Sequence, residues 1–312
     1  MSQRIVYFNG RIVPEREARV SIFDSALQVG DMAFEVTRTV RHKPFRLREH
    51  LRRLRRSMTA LAIDPQLGDD ELERITLDVV ARNLPTEPDD VDWNIVHDVS
   101  RGPASAYLGF VEANERRPTV IVACLPLHRK MATMAAAYTT GVDLVVPAQR
   151  SLPHTLLDSG IKCRSRVHYQ LANLQAAAKR PGSTAVLLDP DGFVTEGTTG
   201  NVFFVRGGEL LTPTTRNILP GVTRGLVLEL ARRLGLSTRE TDLSQSDAAA
   251  ADEAFVTSTS IGIVHARTFE GQTLGDGGIA PTTRRLREAL AAEIGLDFAA
   301  QAAAYAAKYG VA

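Results

Sequence analysis

Hydrophobic spacing divides the first 125 residues into short strands and two helices. Arg4 to Phe8 has strand character, Asn9-Gly10 forms a hairpin turn, and Arg11 to Val13 is the return. Val20 to Phe23 leads into Asp24 and a loop that runs to Gly30-Asp31. From Ala33 to Val40, the residues Phe34, Val36, Arg38 and Val40 fall on one side of a half-buried strand, followed by a turn at His42-Lys43-Pro44. The spacing then changes to that of a helix. Leu51, Leu54, Met58 and Leu61 predict a helix over Arg48 to Ile63, stopped by Asp64-Pro65, and Leu72, Ile75, Val79 and Val80 predict another over Asp69 to Asn83. Val91 to Ser100 and Thr119 to Leu125 return to strand patterns. Strands covered by two helices make residues 1–125 a small α+β domain.

Residues 126–137 are weakly patterned and carry His128, Arg129 and Lys130, which predicts a linker. Residues 138–312 form a second, larger domain. It opens with a strand around Gly141 to Val146. Val167, Leu171, Leu174 and Ala178 mark one face of a helix, with Ser165 as its N-cap. Thr184 to Asp189 is a strand ending in the turn Pro190-Asp191-Gly192, and Phe193 to Thr195 and Val202 to Val205 are short strands. Arg206-Gly207-Gly208-Glu209 is a hairpin before Leu210-Leu211. Val222 to Leu234 is a clearly patterned helix closed by Gly235. Ala254 to Thr257 is a strand that runs into Ser258-Thr259-Ser260, and helices occupy the chain from about Thr282 to its end. Many short strands around few helices predict a barrel-like sheet.

Composition narrows the class. The chain has 312 residues, enough for two cores, with 44% hydrophobic and 23% charged residues as in ordinary globular proteins. The net charge of +1 gives no reason to expect nucleic acid or an anionic membrane as partner. The opening MSQRIVYFNG lacks the apolar run of a secretory leader, and no stretch approaches the length of a membrane span. Cys124 and Cys163 are the only cysteines, so a disulfide framework is not expected and a reducing cytoplasm is.

Candidate chemistry concentrates between Ser159 and Thr223. Lys162 lies among Gly160, Ile161 and Cys163, surroundings that desolvate an amine and favour its neutral, nucleophilic form; a solvated lysine at a strand end is the alternative. Glu196, with Thr195, Thr198 and Thr199 around it, can face a protonated ring nitrogen, although Thr-Glu-Gly-Thr is also an ordinary polar turn. Leu219-Pro220-Gly221-Val222-Thr223 opens a helix, whose N–H groups attract phosphate, and Thr223 and Thr259 add hydroxyls. Arg53 lies in a run of arginines. Such a run is usually a solvated face, and one member turned inward can pair with phosphate. His50, His154 and His168 have no metal-ligand spacing, and Cys163 fits packing better than nucleophilic attack.

Taken in order, these segments resemble the fold-type IV, or class IV, pyridoxal-phosphate enzymes. That family includes branched-chain and D-amino acid aminotransferases, (R)-amine transaminases and aminodeoxychorismate lyase. Tyr7-Phe8-Asn9-Gly10 resembles the family's opening hairpin, and Gly30-Asp31-Met32-Ala33-Phe34-Glu35 its GDGVFE-type strand. Glu49-His50-Leu51-Arg52-Arg53-Leu54 resembles its EHxxRL helix, and the lysine, EGxxxN and LPGxTR segments follow in the family's order. The resemblance covers nearly the whole chain. It implies an α+β, two-domain fold, with a small α/β N-terminal domain and a larger pseudo-barrel domain that binds pyridoxal 5'-phosphate.

It also implies roles. Lys162 would form the internal aldimine and shuttle the proton between Cα and C4′, and Glu196 would face the pyridine nitrogen. Arg53, Val222, Thr223 and Thr259 would hold the phosphate, and Leu219 would pack on the ring. Phe34, Arg38, Arg101 and Ser260 would lie near the substrate. The implied activity is transamination between an amino acid or primary amine and a 2-oxo acid, by way of pyridoxamine phosphate, in a homodimer with shared active sites. A β-eliminating aminodeoxychorismate lyase and a non-catalytic binding protein are the alternatives. Val167 stands where branched-chain enzymes often have tyrosine, with Tyr169 two residues later. Arg101-Gly102 lacks the second arginine and the histidine of the D-amino acid carboxylate trap, and Arg166 resembles the lyase pattern. Arg38, Arg101, Arg164 and Arg166 remain alternative carboxylate partners.

Overall fold

The computed structural model describes residues 3–310, in two compact units. The first runs to Leu127 and takes in Ile161–Ser165; the second comprises His128–Gly160 and the chain from Arg166. Met1 and Ser2, the first residues of the expected leaderless start, lie outside the described residues, as do Val311 and Ala312 at the expected helical end.

The first unit contains β1 (Ile5–Phe8), β2 (Arg11–Pro14), α1 (Ser25–Val29), β3 (Met32–Val40), β4 (Lys43–Pro44), α2 (Leu47–Ala60), α3 (Asp69–Asn83), β5 (Trp93–Ser100) and β6 (Thr119–Pro126). Its antiparallel sheet has the order β2-β1-β6-β5-β3-β4. Asn9 and Gly10 both take positive φ, the geometry a two-residue hairpin with right-handed twist requires. Trp93, Ile95 and Val99 on β5 and Val120 and Val122 on β6 share one sheet face by the two-residue period. They form a core with Leu51, Leu54 and Met58 of α2 and Leu72, Ile75 and Val79 of α3. Each buried aliphatic side chain of this kind contributes about 1.5–3 kcal/mol. Odd-numbered residues of β3 face these helices, and even-numbered ones face away.

Two features of this unit differ from the sequence reading. The expected loop before Gly30 contains helix α1, because Asp24 accepts a hydrogen bond from the Ala26 N–H and Gly30, at φ 72°, closes the turn. β3 is also buried on both faces rather than one, and even Thr37, Arg38 and Thr39 are inaccessible.

The second unit contains α4 (His128–Thr140), β7 (Val142–Val145), α5 (Val167–Lys179), β8 (Thr184–Leu188), β9 (Val194–Gly197), β10 (Asn201–Arg206), β11 (Glu209–Thr212), α6 (Val222–Arg233), β12 (Thr238–Glu240), α7 (Gln245–Ala249), β13 (Glu253–Ser258), β14 (Gly262–Phe269), β15 (Gln272–Thr273), α8 (Pro281–Ile294) and α9 (Phe298–Tyr309). Its sheet has the order β12-β11-β10-β13-β14-β7-β8-β9, with β15 on β14. β9 turns directly into β10, held by the Gly197 N–H donating to the Gly200 carbonyl at 2.8 Å. One end of the sheet is thereby tied to a strand near the other end, so the sheet curls into a half-barrel. Phe203, Phe204, Phe255 and Phe269 are fully buried, and the rings of Phe203 and Phe255, paired across β10 and β13, stack at 4.9 Å.

Most of the expected linker, residues 126–137, is helix α4, anchored by buried His128, Met131 and Tyr138 and packed on α9. The apolar stripe that marks one face of α5 points outward. Val167, Leu171 and Leu174 are 72%, 44% and 58% exposed, and Ala172 and Ala176 pack against Val145, Ala185 and Leu187 instead. Small side chains let the helix lie close to the sheet. The expected cap is also absent: the N-cap position is Arg166, whose side chain does not cap the helix, and Ser165 Oγ donates to the Gly30 carbonyl. The long buried strand β14 has no counterpart in the sequence reading.

Candidate active site

Lys162 belongs to the first unit, although the chain on either side of Ile161–Ser165 belongs to the second. Its carbonyl accepts from the Phe34 N–H at 2.9 Å, and the Arg164 N–H donates to the Met32 carbonyl at 2.9 Å. Lys162–Arg164 therefore pairs with β3 as a short antiparallel strand, Ala33 opposite Cys163. Pairing fixes direction. Cys163 is buried on the helix-facing side with Ala33, whereas Lys162 and Arg164 lie with Phe34 on the other side. Lys162 Nζ lies 4.7 Å from the centroid of the Phe34 ring. Close packing makes glycine necessary at position 30: a Cβ there would meet Ser165 Oγ at 2.5 Å, at a φ of 72°.

The same backbone segment is tied to the helix that carries Arg53. The Lys162 N–H donates to Ser57 Oγ at 3.0 Å, and that hydroxyl donates to the Arg53 carbonyl at 3.1 Å. Arg53 is the inward-turned member of the arginine run, 3% exposed. Its Nε and Nη2 donate to the two oxygens of Glu35 at 2.8 and 2.7 Å. His50 Nδ1 is 3.1 Å from the same carboxylate, which can only accept, so this nitrogen carries the proton. Burial opposes ionisation of Glu35, but the Arg53 charge and the bonds from Arg53 and His50 outweigh it and hold the carboxyl far below its usual range. Burial pushes His50 the other way, towards the neutral ring, against the pull of Glu35.

In the second unit, Glu196 is buried at the end of β9. Its threonine neighbours do not serve it: Thr195 Oγ1 donates to the Leu187 carbonyl and Thr198 Oγ1 to Asn173 Oδ1. Its donors are the Tyr169 hydroxyl at 2.9 Å on Oε1, and Asn201 Nδ2 at 2.9 Å and the Leu219 N–H at 3.1 Å on Oε2. Asn201 Nδ2 also bonds the Leu219 carbonyl, which fixes the approach to α6. Gly221 is the N-cap of α6 and offers no side-chain cap to the first N–H groups. A Cβ at Gly221 would meet Asn201 Oδ1 at 2.1 Å. Leu219, Val222, Thr223 and Thr259 are half-buried, and Ser260 is buried. Tyr169 and Asn201 were missed as partners of Glu196; only the asparagine of the EGxxxN segment gave a signal.

Two of the arginines expected near the substrate have partners within the first unit. Arg38 is 1% exposed, pairs with Asp92 at 3.6 Å and donates from Nε to the Thr39 carbonyl. Arg101 donates through Nε and Nη2 to Asp31, through Nη2 to the Leu61 carbonyl, and through Nη1 to the Ala62 carbonyl. Both act as struts of the first unit.

The donor types fit the group that the sequence resemblance implies. Lys162 supplies an amine, Glu196 a buried carboxylate with fixed orientation, and α6 a helix start without a side-chain cap. Among the described residues, no group of three or more His, Cys, Asp or Glu side chains could hold a metal ion.

Comparison with known proteins gives one family throughout. The model of the family described as amino-transferase class IV matches residues 32–269. The branched-chain-amino-acid aminotransferases of Salmonella typhimurium and Escherichia coli are each 31% identical to the chain over 292 residues, covering 91% of this chain and 91% of theirs. The solved branched-chain amino acid aminotransferase of Escherichia coli matches the fold with a TM-score of 0.83 at 27% identity, covering 95% of both chains. A T.th. branched-chain amino acid aminotransferase, solved in complex with N-(5'-phosphopyridoxyl)-L-glutamate, matches at 0.82 and 28%, again over 95% of both.

Proposed function

Because the chain belongs to the class IV aminotransferases, which use pyridoxal 5'-phosphate, we propose that Lys162 is the reacting amine of its amino-group transfer between an amino acid and a 2-oxo acid. When bound, the cofactor supplies an aldehyde for reversible exchange of amines and a ring that withdraws electrons from the substrate α-carbon. Lys162 Nζ would hold the cofactor and would move the proton to and from the substrate α-carbon. Glu196, its direction set by Tyr169, Asn201 and the Leu219 N–H, would face the pyridine nitrogen and favour its protonated form. Arg53, the N–H groups of Val222 and Thr223, and the Thr259 hydroxyl would hold the phosphate, and Leu219 would pack on the ring. Phe34 and Ser260 line the substrate side; Arg38 and Arg101, committed to Asp92 and Asp31, are not assigned there.

The observation that carries this reading is the placement of Lys162. Backbone pairing with β3 and the bond to Ser57 fix its main chain, while the amine extends over Phe34. The reading includes a homodimer with shared active sites, and the outward apolar stripe of α5 supports it. It includes no nucleic-acid or membrane partner. Among the described residues, no helix is long and apolar enough to cross a membrane.

A half-reaction screen tests the reading. The holoenzyme is mixed with L-amino acids, D-amino acids and amines, and loss of the cofactor's visible band is followed. Bleaching by a donor, with pyridoxamine 5'-phosphate recovered from the protein, is expected. Pyruvate release from aminodeoxychorismate without a 2-oxo acid acceptor would instead indicate elimination, and no spectral response to any donor would contradict catalysis.

A further inference from the structure

We propose that Arg164 receives the carboxylate of the substrate, so that this enzyme's preferred donors and acceptors are carboxylic acids rather than simple amines. The inference rests on the reading of Lys162 as the reacting amine and adds the group that orients the molecule reacting there.

Lys162 and Arg164 lie two residues apart on the strand paired with β3, and therefore on the same side of it. Both reach the Phe34 ring, Lys162 Nζ at 4.7 Å and the Arg164 guanidinium carbon at 4.0 Å from its centroid. Asp98 is the cross-strand partner of Phe34 on β5 and shares that side. It accepts from Arg164 Nε at 2.7 Å.

That arrangement gives the guanidinium a direction. The ring lies against the guanidinium, Asp98 holds its Nε, and Nη1 and Nη2 have no partner among the described residues. The Arg164 side chain is 40% exposed, so a ligand can reach it. A planar fork already fixed by a ring and a carboxylate loses little freedom when it takes a second carboxylate through its two terminal nitrogens. Asp98 offsets much of the local charge, so recognition depends on this pair of directed donors more than on net attraction.

The other candidate arginines lack this combination. Arg38 is buried against Asp92, and Arg101 spends all three guanidinium nitrogens on Asp31, Leu61 and Ala62. Arg166 belongs to the second unit, where it donates to the Thr198 carbonyl and stacks on Tyr169 at 4.2 Å.

The test compares the wild-type holoenzyme with Arg164→Gln and Arg164→Lys. One arm measures the dissociation constants of two unreactive ligands, 4-methylvaleric acid and its amide. The second arm measures half-reaction KM values for amino acids with one carboxylate, for glutamate, and for amines with none. Melting temperature and the cofactor's visible band verify that each variant is folded and loaded. Arg164→Gln is expected to weaken acid binding by about 10- to 100-fold, the usual effect of losing a charge-assisted pair, and to leave the amide unchanged. Arg164→Lys, which keeps the charge without the fork, is expected to fall between.

A rise in KM for every amino acid would place the α-carboxylate at Arg164; a rise for glutamate alone would place the distal one there. Unchanged acid binding in Arg164→Gln, or equal weakening of acid and amide, would overturn the proposal. The ligand arm needs no turnover, so it decides the role of Arg164 even if Lys162 proves not to be the reacting amine.

Discussion

Glu35 holds Arg53 by two parallel hydrogen bonds, 2.8 Å to Nε and 2.7 Å to Nη2, with both side chains buried. Removing one partner leaves the other as an unpaired buried charge, which costs roughly 3–5 kcal/mol. Glu35→Gln is therefore expected to lower the urea midpoint strongly, whereas the double replacement Glu35→Leu with Arg53→Met costs less than the two single changes added together. Because Arg53 is assigned to the phosphate, Glu35→Gln should also weaken pyridoxal 5'-phosphate more than pyridoxal. Equal weakening of both would remove Arg53 from that role.

Acid is expected to destabilise the first unit in a definite window. His97 is fully buried, and burial pushes it down to about 4 from the ordinary histidine value near 6.5. Thr76 Oγ1 donates to the Leu72 carbonyl and so accepts from His97 Nε2 at 2.8 Å, leaving Nδ1 without a partner among the described residues. Between about pH 6.5 and about 4 the unfolded chain binds the proton and the folded one does not, so stability falls as pH falls through that range, by on the order of 3 kcal/mol from this group. Glu35, depressed in the fold, adds a further loss below about pH 4.3, where unfolded glutamates protonate and the folded one does not. Urea titrations from pH 7 to pH 4 should show this decline, and His97→Gln should flatten its upper part.

Gly221 is expected to tolerate no side chain. Its Cβ would meet Asn201 Oδ1 at 2.1 Å, and Asn201 donates to Glu196. Gly221→Ala should displace that amide and weaken binding of pyridoxal 5'-phosphate at least several-fold with little change in melting temperature. Unchanged affinity would show that Asn201 does not support the cofactor.

The outward stripe of α5 gives a direct test of assembly. Leu171→Asp with Leu174→Asp adds charge to an exposed apolar face without touching Ala172 or Ala176, the residues that pack inward. Light scattering is expected to give twice the chain mass for the wild type and a shift towards monomer for the variant. An unchanged dimer would place the interface elsewhere.

Many of the strands and helices could be read from the sequence because their signals are local. The Asn9-Gly10 and Gly207-Gly208 turns took the positive φ their residue types favour, and Asp69–Asn83 was bounded by its own pattern. Errors arose where the tertiary environment decided. The apolar stripe of α5 was located, but which way it points was not legible, because periodicity identifies a face without saying what covers it. The charged residues at the start of α4 obscured a helix whose stability comes from packing on α9. Among the proposed site residues, Lys162, Glu196 and Arg53 were visible as members of ordered motifs. The commitments of Arg38 to Asp92 and Arg101 to Asp31 were not, since those partners lie 54 and 70 residues away along the chain.

The central claim, that Lys162 is the reacting amine, can be tested by one mapping experiment. The holoenzyme is reduced with borohydride, digested and analysed by mass spectrometry for a phosphopyridoxyl group. The sequence contains five lysines, so each can be followed. The expected result is modification at Lys162 alone, with none in Lys162→Ala; modification at Lys43, Lys130, Lys179 or Lys308 in place of Lys162, or no modification at any lysine, would contradict it.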